Sequence, residues 1–173
     1  MPLRDTSRPY KFAFVNGPNM GQLGKREGAI FGPVESLEDL NRQVDDFAKE
    51  LGVSVTHFQS DAESDILRFI HDTGSSVDAY LINPAGLTYF GLATRDALLD
   101  TGVPYLEVHF ANLAVWKQNT APGRSELQSM FTHTATGIFE GMRHYGYFAG
   151  VLAMALALDD ESFLGTSAGG DAS

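Results

Sequence analysis

The chain of 173 residues has no cysteine. That absence removes disulfides, zinc-thiolate sites and thiol nucleophiles together. Cationic side chains are also scarce, with 12 Lys and Arg against 22 Asp and Glu and a formal charge of -10. Such a balance argues against gripping nucleic acid or an anionic membrane, while leaving room for a basic pocket that takes a small anionic substrate. No apolar run reaches the roughly 20 residues of a membrane span, the longest candidate being Tyr147 to Leu158 with its Gly and Ala content. The opening residues, MPLRDTSRPYK, are charged and lack an apolar signal-peptide core, so a cytoplasmic protein is expected.

Familiar chemical signatures are missing too. The loop NGPNMGQLG has neither the Lys-Ser/Thr ending of a P-loop nor a G-x-G-x-x-G spacing. There is no G-x-S-x-G elbow to present a hydrolase serine. The third apolar run closes on Asn83 where a response regulator would need an acid, and no pair of histidines stands at metal-ligand spacing.

Apolar runs alternating with amphipathic segments fill the chain instead. Phe12 to Asn16, Ser54 to Gln59, Ala79 to Asn83 and Pro104 to His109 are apolar at nearly every position, as suits central parallel strands covered on both faces. A further short strand is expected near Thr136 to Phe139. Leu37, Leu40, Val44, Phe47, Ala48 and Leu51 recur at helical spacing behind a Ser36/Asp39 capping box, and Ser60 with Glu63 repeats that signature before Ile66, Leu67 and Ile70. Tyr89 to Leu99 predicts a third helix and His144 to Leu158 a fourth, so apolar that one buried face does not account for it. The alternation predicts an α/β fold with a flavodoxin-like open parallel sheet and helices on both faces. The expected domain spans 10–158, behind a flexible segment 1–9 and before a disordered tail 159–173.

Ligands of open α/β sheets bind beyond the carboxyl ends of the strands. Those ends carry Asn16-Gly-Pro-Asn19, Asn83-Pro-Ala-Gly-Leu-Thr88 and Glu107-Val-His109. Together with Gly24-Lys25-Arg26-Glu27, Ile30-Phe31-Gly32, Gln59-Ser60-Asp61, Arg95-Asp96-Ala97, Ala135-Thr136-Gly137 and Gly146-Tyr147, they form an ordered set. This set, over roughly residues 10 to 158, resembles the type II 3-dehydroquinate dehydratase (dehydroquinase) family.

The resemblance implies a cofactor-independent lyase of the shikimate or quinate pathway, which eliminates water from a cyclic keto-acid through an enolate. A tyrosinate beside an arginine takes the proton, an asparagine-held water stabilises the enolate oxygen, and a glutamate-backed histidine protonates the leaving hydroxyl. By position, the arginine is Arg26, the water-holding asparagine is Asn19 with Pro18 and Gly86 beside it, the acid is His109 and its partner Glu107. Asn83 and the backbone N–H groups of Phe110 and Ala111 correspond to substrate contacts. Asp96 would reach the pocket of a neighbouring subunit in a dodecamer of trimers.

Departures cluster on the same pocket. Phe31 stands where the family has its tyrosine base, and a phenyl ring takes no proton. Tyr89 replaces a substrate-binding histidine and is the candidate replacement base. Ala111 replaces a serine, and the longer stretch Ala114 to Thr134 leaves Arg124 and Lys117 as candidate carboxylate binders. Two expectations stay open: a retuned lyase for a hydroxylated carbonyl or carboxylate compound, or a paralogue that binds a ligand or supports assembly without turnover. Locally, Glu107 and His109 are also what a sheet-end ion pair looks like. Arg26 fits a surface charge, Asn19 a loop brace and Phe31 an apolar wall.

Overall fold

Alternation along β1 (Tyr10–Asn16) sends Phe12 and Phe14 to one face of a sheet and Ala13 and Val15 to the other, and all four are buried. A computed structural model describes residues 2–25, 32–115 and 128–165. Within these, β1 is joined by β2 (Val53–Gln59), β3 (Ala79–Asn83), β4 (Tyr105–His109) and β5 (Gly137–Glu140) in the order β2-β1-β3-β4-β5, every pair parallel. The central strands are buried on both faces because helices cover both, which is why they appear in the sequence as unbroken apolar runs.

Helices α1 (Leu37–Glu50) and α4 (Tyr145–Asp159) cover one face. Leu40, Val44, Tyr147, Val151 and Met154 pack there with Phe12, Phe14, Leu81 and Val108. On the other face lie α2 (Glu63–Thr73) and α3 (Leu92–Asp100), where Ile66, Ile70, Ala97 and Leu98 meet Val15, Tyr80, Ile82 and Tyr105. Burying each such side chain stabilises the fold by about 1.5–3 kcal/mol. Glycine at 150 lets α4 approach the sheet closely, since a Cβ there would lie 2.7 Å from Leu81 Cδ2 and that side chain would have to shift. No helix among the described residues is long and apolar enough to cross a membrane.

The fold class and all the expected strands are present, but several boundaries move for local reasons. Ser36 caps α1 as expected, its Oγ accepting from Asp39 N–H at 3.1 Å. The second capping box does not form. Ser60 Oγ accepts from Ala62 N–H at 3.0 Å, while Glu63 turns to another helix and accepts from Thr94 N–H (3.2 Å) and Thr94 Oγ1–H (2.8 Å). Glu63 thereby caps α3, which starts at Leu92 instead of Tyr89.

In the leading segment, Arg4 reaches the far end of the described chain. Its guanidinium is 1% exposed and donates to Asp159 through Nε and Nη2 (both 2.7 Å), to Leu51 O and to Arg8 O. Tyr10 Oη–H joins the same carboxylate at 2.9 Å. A buried cation needs such a partner, and Asp159 lies too far along the sequence for periodicity to reveal it. Past Asp159, Leu164 N–H donates to Ala157 O at 3.3 Å and Gly165 N–H to Asp160 O at 2.8 Å. The rest of the expected tail lies outside the described residues.

Candidate functional site

At the carboxyl rim of the sheet the loops after β1 and β3 interlock. Gly17 N–H donates to Asn83 O at 2.8 Å, and a Cβ on Gly17 would fall 2.2 Å from Pro84 O, so no larger residue fits. Gly86 N–H donates to Pro18 O at 3.3 Å, and a Cβ at Gly86 would sit 3.5 Å from Asn19 Nδ2. Pro18, Asn19 and Gly86 are therefore brought together. Asn19 adopts a left-handed backbone (φ 73°), and its N–H donates at 2.8 Å to Asp61, a carboxylate that Gln59 also reaches at 3.0 Å. Asn tolerates this conformation better than most residues.

Asn83 is buried within a polar network of the interior. Its Nδ2 donates to Tyr147 Oη at 3.0 Å, its Oδ1 accepts from Ala85 N–H at 3.2 Å, and Tyr147 Oη–H donates to Asn16 Oδ1 at 2.7 Å. Burial pushes the Tyr147 phenol far above its ordinary pKa, so it acts here as a neutral donor and acceptor.

Glu107 and His109 project from the same face of β4, and His109 Nε2 lies 2.6 Å from Glu107 Oε1. Both are buried, Glu107 completely. Ser129 Oγ–H also donates to Glu107 Oε1, and Thr132 Oγ1–H to Oε2 at 2.8 Å. Burial alone would raise the Glu107 pKa. The hydrogen bond and charge of His109, with the two hydroxyls, outweigh it and hold the carboxyl below its ordinary value. An ionised carboxylate only accepts, so Nε2 of His109 is the donor in this contact. Phe110 and Ala111 follow on the same rim, Phe110 buried and Ala111 half-buried.

Tyr89 is half-buried in the turn before α3. Burial first, then the charges of Glu140 and Glu107, push its phenol pKa up. Among the described surroundings this direction favours the neutral phenol over the tyrosinate. Asp96 is exposed on α3 and paired with Arg95 at 2.6 Å. Arg26, Phe31, Lys117 and Arg124 lie outside the described residues.

Three contributors escaped the reading of the sequence. Ser129 and Thr132 lie near the end of the rearranged stretch Ala114 to Thr134, and their only signal was a pair of hydroxyls ahead of the fifth strand. Glu140 stands in register beside His109 at the end of β5 and accepts from Leu113 N–H at 3.4 Å. Among the described residues, no three of His, Asp and Glu gather as a metal site.

Comparison with known proteins agrees with this geometry. The family model described as Dehydroquinase class II matches residues 10–155. The chain is 35% identical to the 3-dehydroquinate dehydratase of Pseudoalteromonas translucida, over 88% of this chain and 97% of that protein. It is 37% identical to that of Halothermothrix orenii, over 74% and 84% respectively. The type II dehydroquinase structure from Propionibacterium acnes superimposes with a TM-score of 0.76 at 30% identity, covering 85% of this chain and 97% of that one.

Proposed function

This chain belongs to the class II dehydroquinase family, and from that premise we propose that it is a cofactor-independent carbon–oxygen lyase with a retuned pocket. Its substrate is a hydroxylated carbonyl or carboxylate compound, and 3-dehydroquinate, for which the relatives are named, is the first to test. A step in shikimate synthesis or quinate breakdown follows if that substrate is accepted. The observation that carries the reading is the buried Glu107–His109 pair at the carboxyl rim of the sheet.

In the proposed reaction a proton leaves the carbon beside the ketone and its electron pair forms an enolate. Asn19, with Pro18 and Gly86 shaping its loop, holds a water against the enolate oxygen. Arg26 supplies positive charge. The enolate re-forms the ketone, its carbon–carbon electron pair makes the new double bond as the C–O bond breaks, and His109 passes its proton to the departing hydroxyl, which leaves as water. Glu107 stabilises the imidazolium before transfer and fixes its orientation. Asn83 and the backbone of Phe110 and Ala111 hold the substrate, Tyr89 offers a neutral phenol, and Arg124 meets the carboxylate. Phe31 is an apolar wall, so the first proton passes to water instead of to a tyrosinate. Loss of a positioned base costs roughly 10²–10⁴ in rate, and slow turnover of 3-dehydroquinate is expected.

Restoring the phenol tests this directly. Phe31→Tyr is expected to raise formation of the conjugated, ultraviolet-absorbing product by about 10²-fold or more. Phe31 itself favours a second reading, a ligand-binding paralogue. Binding of 3-dehydroquinate by calorimetry, with no product from either the wild type or Phe31→Tyr, would establish that reading instead.

Assembly belongs to the same proposal. Phe90 (71% exposed) and Leu92 flank the surface near Asp96, and Met142 and Leu156 are exposed apolar residues around α4. These support self-association, which the family resemblance extends to trimers joined into a dodecamer with Asp96 reaching a neighbouring pocket. Light scattering is expected to give twelve times the 18.8 kDa chain mass, and a monomer would refute it.

A further inference from the structure

Segment 129–134 is held by contacts from three parts of the fold. Phe131 is fully buried, Tyr105 Oη–H donates to Phe131 O at 2.9 Å, and Met130 N–H donates to Thr88 O at 2.8 Å. Ser129 Oγ accepts from Phe131 N–H at 3.2 Å, which occupies the oxygen and turns its proton toward Glu107. Thr132 Oγ1–H points to the other carboxylate oxygen. Glu107 Oε1 thus receives His109 and Ser129, and Oε2 receives Thr132, with no side-chain exposure to water.

We infer that Ser129 and Thr132 are positioning residues for the acid: their hydroxyls hold Glu107 as an acceptor-only carboxylate, and so dictate which ring nitrogen of His109 exchanges its proton. A protonated Glu107 would present a donor where three donors already converge, and His109 would lose its acceptor. The proposal rests on the lyase reading for its catalytic consequence, though not for the histidine tautomer.

The groups facing Glu107 are few among the described residues. They are His109 and Tyr105 on β4, Tyr89 from the turn before α3, and the two hydroxyls; Arg95 acts on Tyr105 and Glu140 on Tyr89. Burial pushes both phenols up, so they stay neutral where a carboxyl titrates. Removing a hydroxyl then acts on Glu107 itself: with fewer donors its pKa rises, and protonation on acidification begins at a higher pH.

The test compares wild type with Ser129→Ala, the near-isosteric Thr132→Val and the conservative Ser129→Thr. Histidine ¹⁵N spectra, with His109→Gln assigning the resonance, are expected to show Nε2–H in the wild type and mixed tautomers in Ser129→Ala and Thr132→Val. In turnover, kcat is expected to fall about 10-fold or more at nearly constant KM, with the acid limb of the profile moved to higher pH and Ser129→Thr retaining wild-type behaviour. Should Ser129→Ala fail to fold, Thr132→Val carries the test. An unchanged tautomer and an unmoved acid limb overturn the inference. Absence of turnover in the wild type counts against the lyase reading alone, and the tautomer then decides the hydroxyl clamp by itself.

Discussion

Tyr147 shows how a single side chain joins the core to the rim. Its hydroxyl donates to Asn16 and accepts from Asn83, so two strand-ending asparagines share one buried partner. Tyr147→Phe keeps the ring and strands both amides, which is expected to cost about 1–3 kcal/mol and to lower the denaturation midpoint. An unchanged midpoint would mean that water replaces the phenol. Tyr89 is a contrasting case, a phenol pushed up by burial and by the carboxylates of Glu140 and Glu107. Tyr89→Phe is therefore expected to lose far less than the roughly 10²–10⁴-fold that follows removal of a positioned base. Steady-state rates with 3-dehydroquinate check it, and a loss of that full size would restore Tyr89 as the base.

Secondary elements carry the site because their ends are locked by groups from elsewhere in the chain. Ser36→Ala removes the cap of α1 and is expected to cost about 1 kcal/mol in urea denaturation. Gly17→Ala should cost more, since its Cβ would meet the Pro84 carbonyl at 2.2 Å and the β1 and β3 loops would have to part. The strands were legible in the sequence because helices cover both faces and leave few polar positions. Glu107 and His109 were legible as a pair because residues two apart on a strand share a face. The start of α3 was not, since its cap comes from Glu63 on a different helix. Ser129 and Thr132 were hidden for a similar reason: their register depends on Phe131 sinking into the core and on Tyr105 and Thr88 gripping the segment. Arg4 and Asp159 meet only once the fold has brought both ends of the chain together.

For the whole molecule, the Arg4–Asp159 lock joins the two ends of the described chain and makes stability respond to acid. The hydrogen bond from Arg4 holds the Asp159 carboxyl below its ordinary value, and Glu107 is also held low. A lowered folded-state pKa stabilises above the unfolded-state value, about 3.9 for Asp, and that contribution is lost as pH falls through the folded value. Arg4→Ala is thus expected to melt below the wild type at neutral pH, with the gap narrowing below about pH 3.9. A constant gap would assign the effect to packing. The central claim is elimination of water assisted by His109 at the sheet rim. Its most direct measurement is ultraviolet product formation from 3-dehydroquinate by the wild type beside His109→Ala. The account predicts slow turnover in the first, diminished by roughly 10²–10⁴-fold in the second, and equal rates in the two proteins would contradict it.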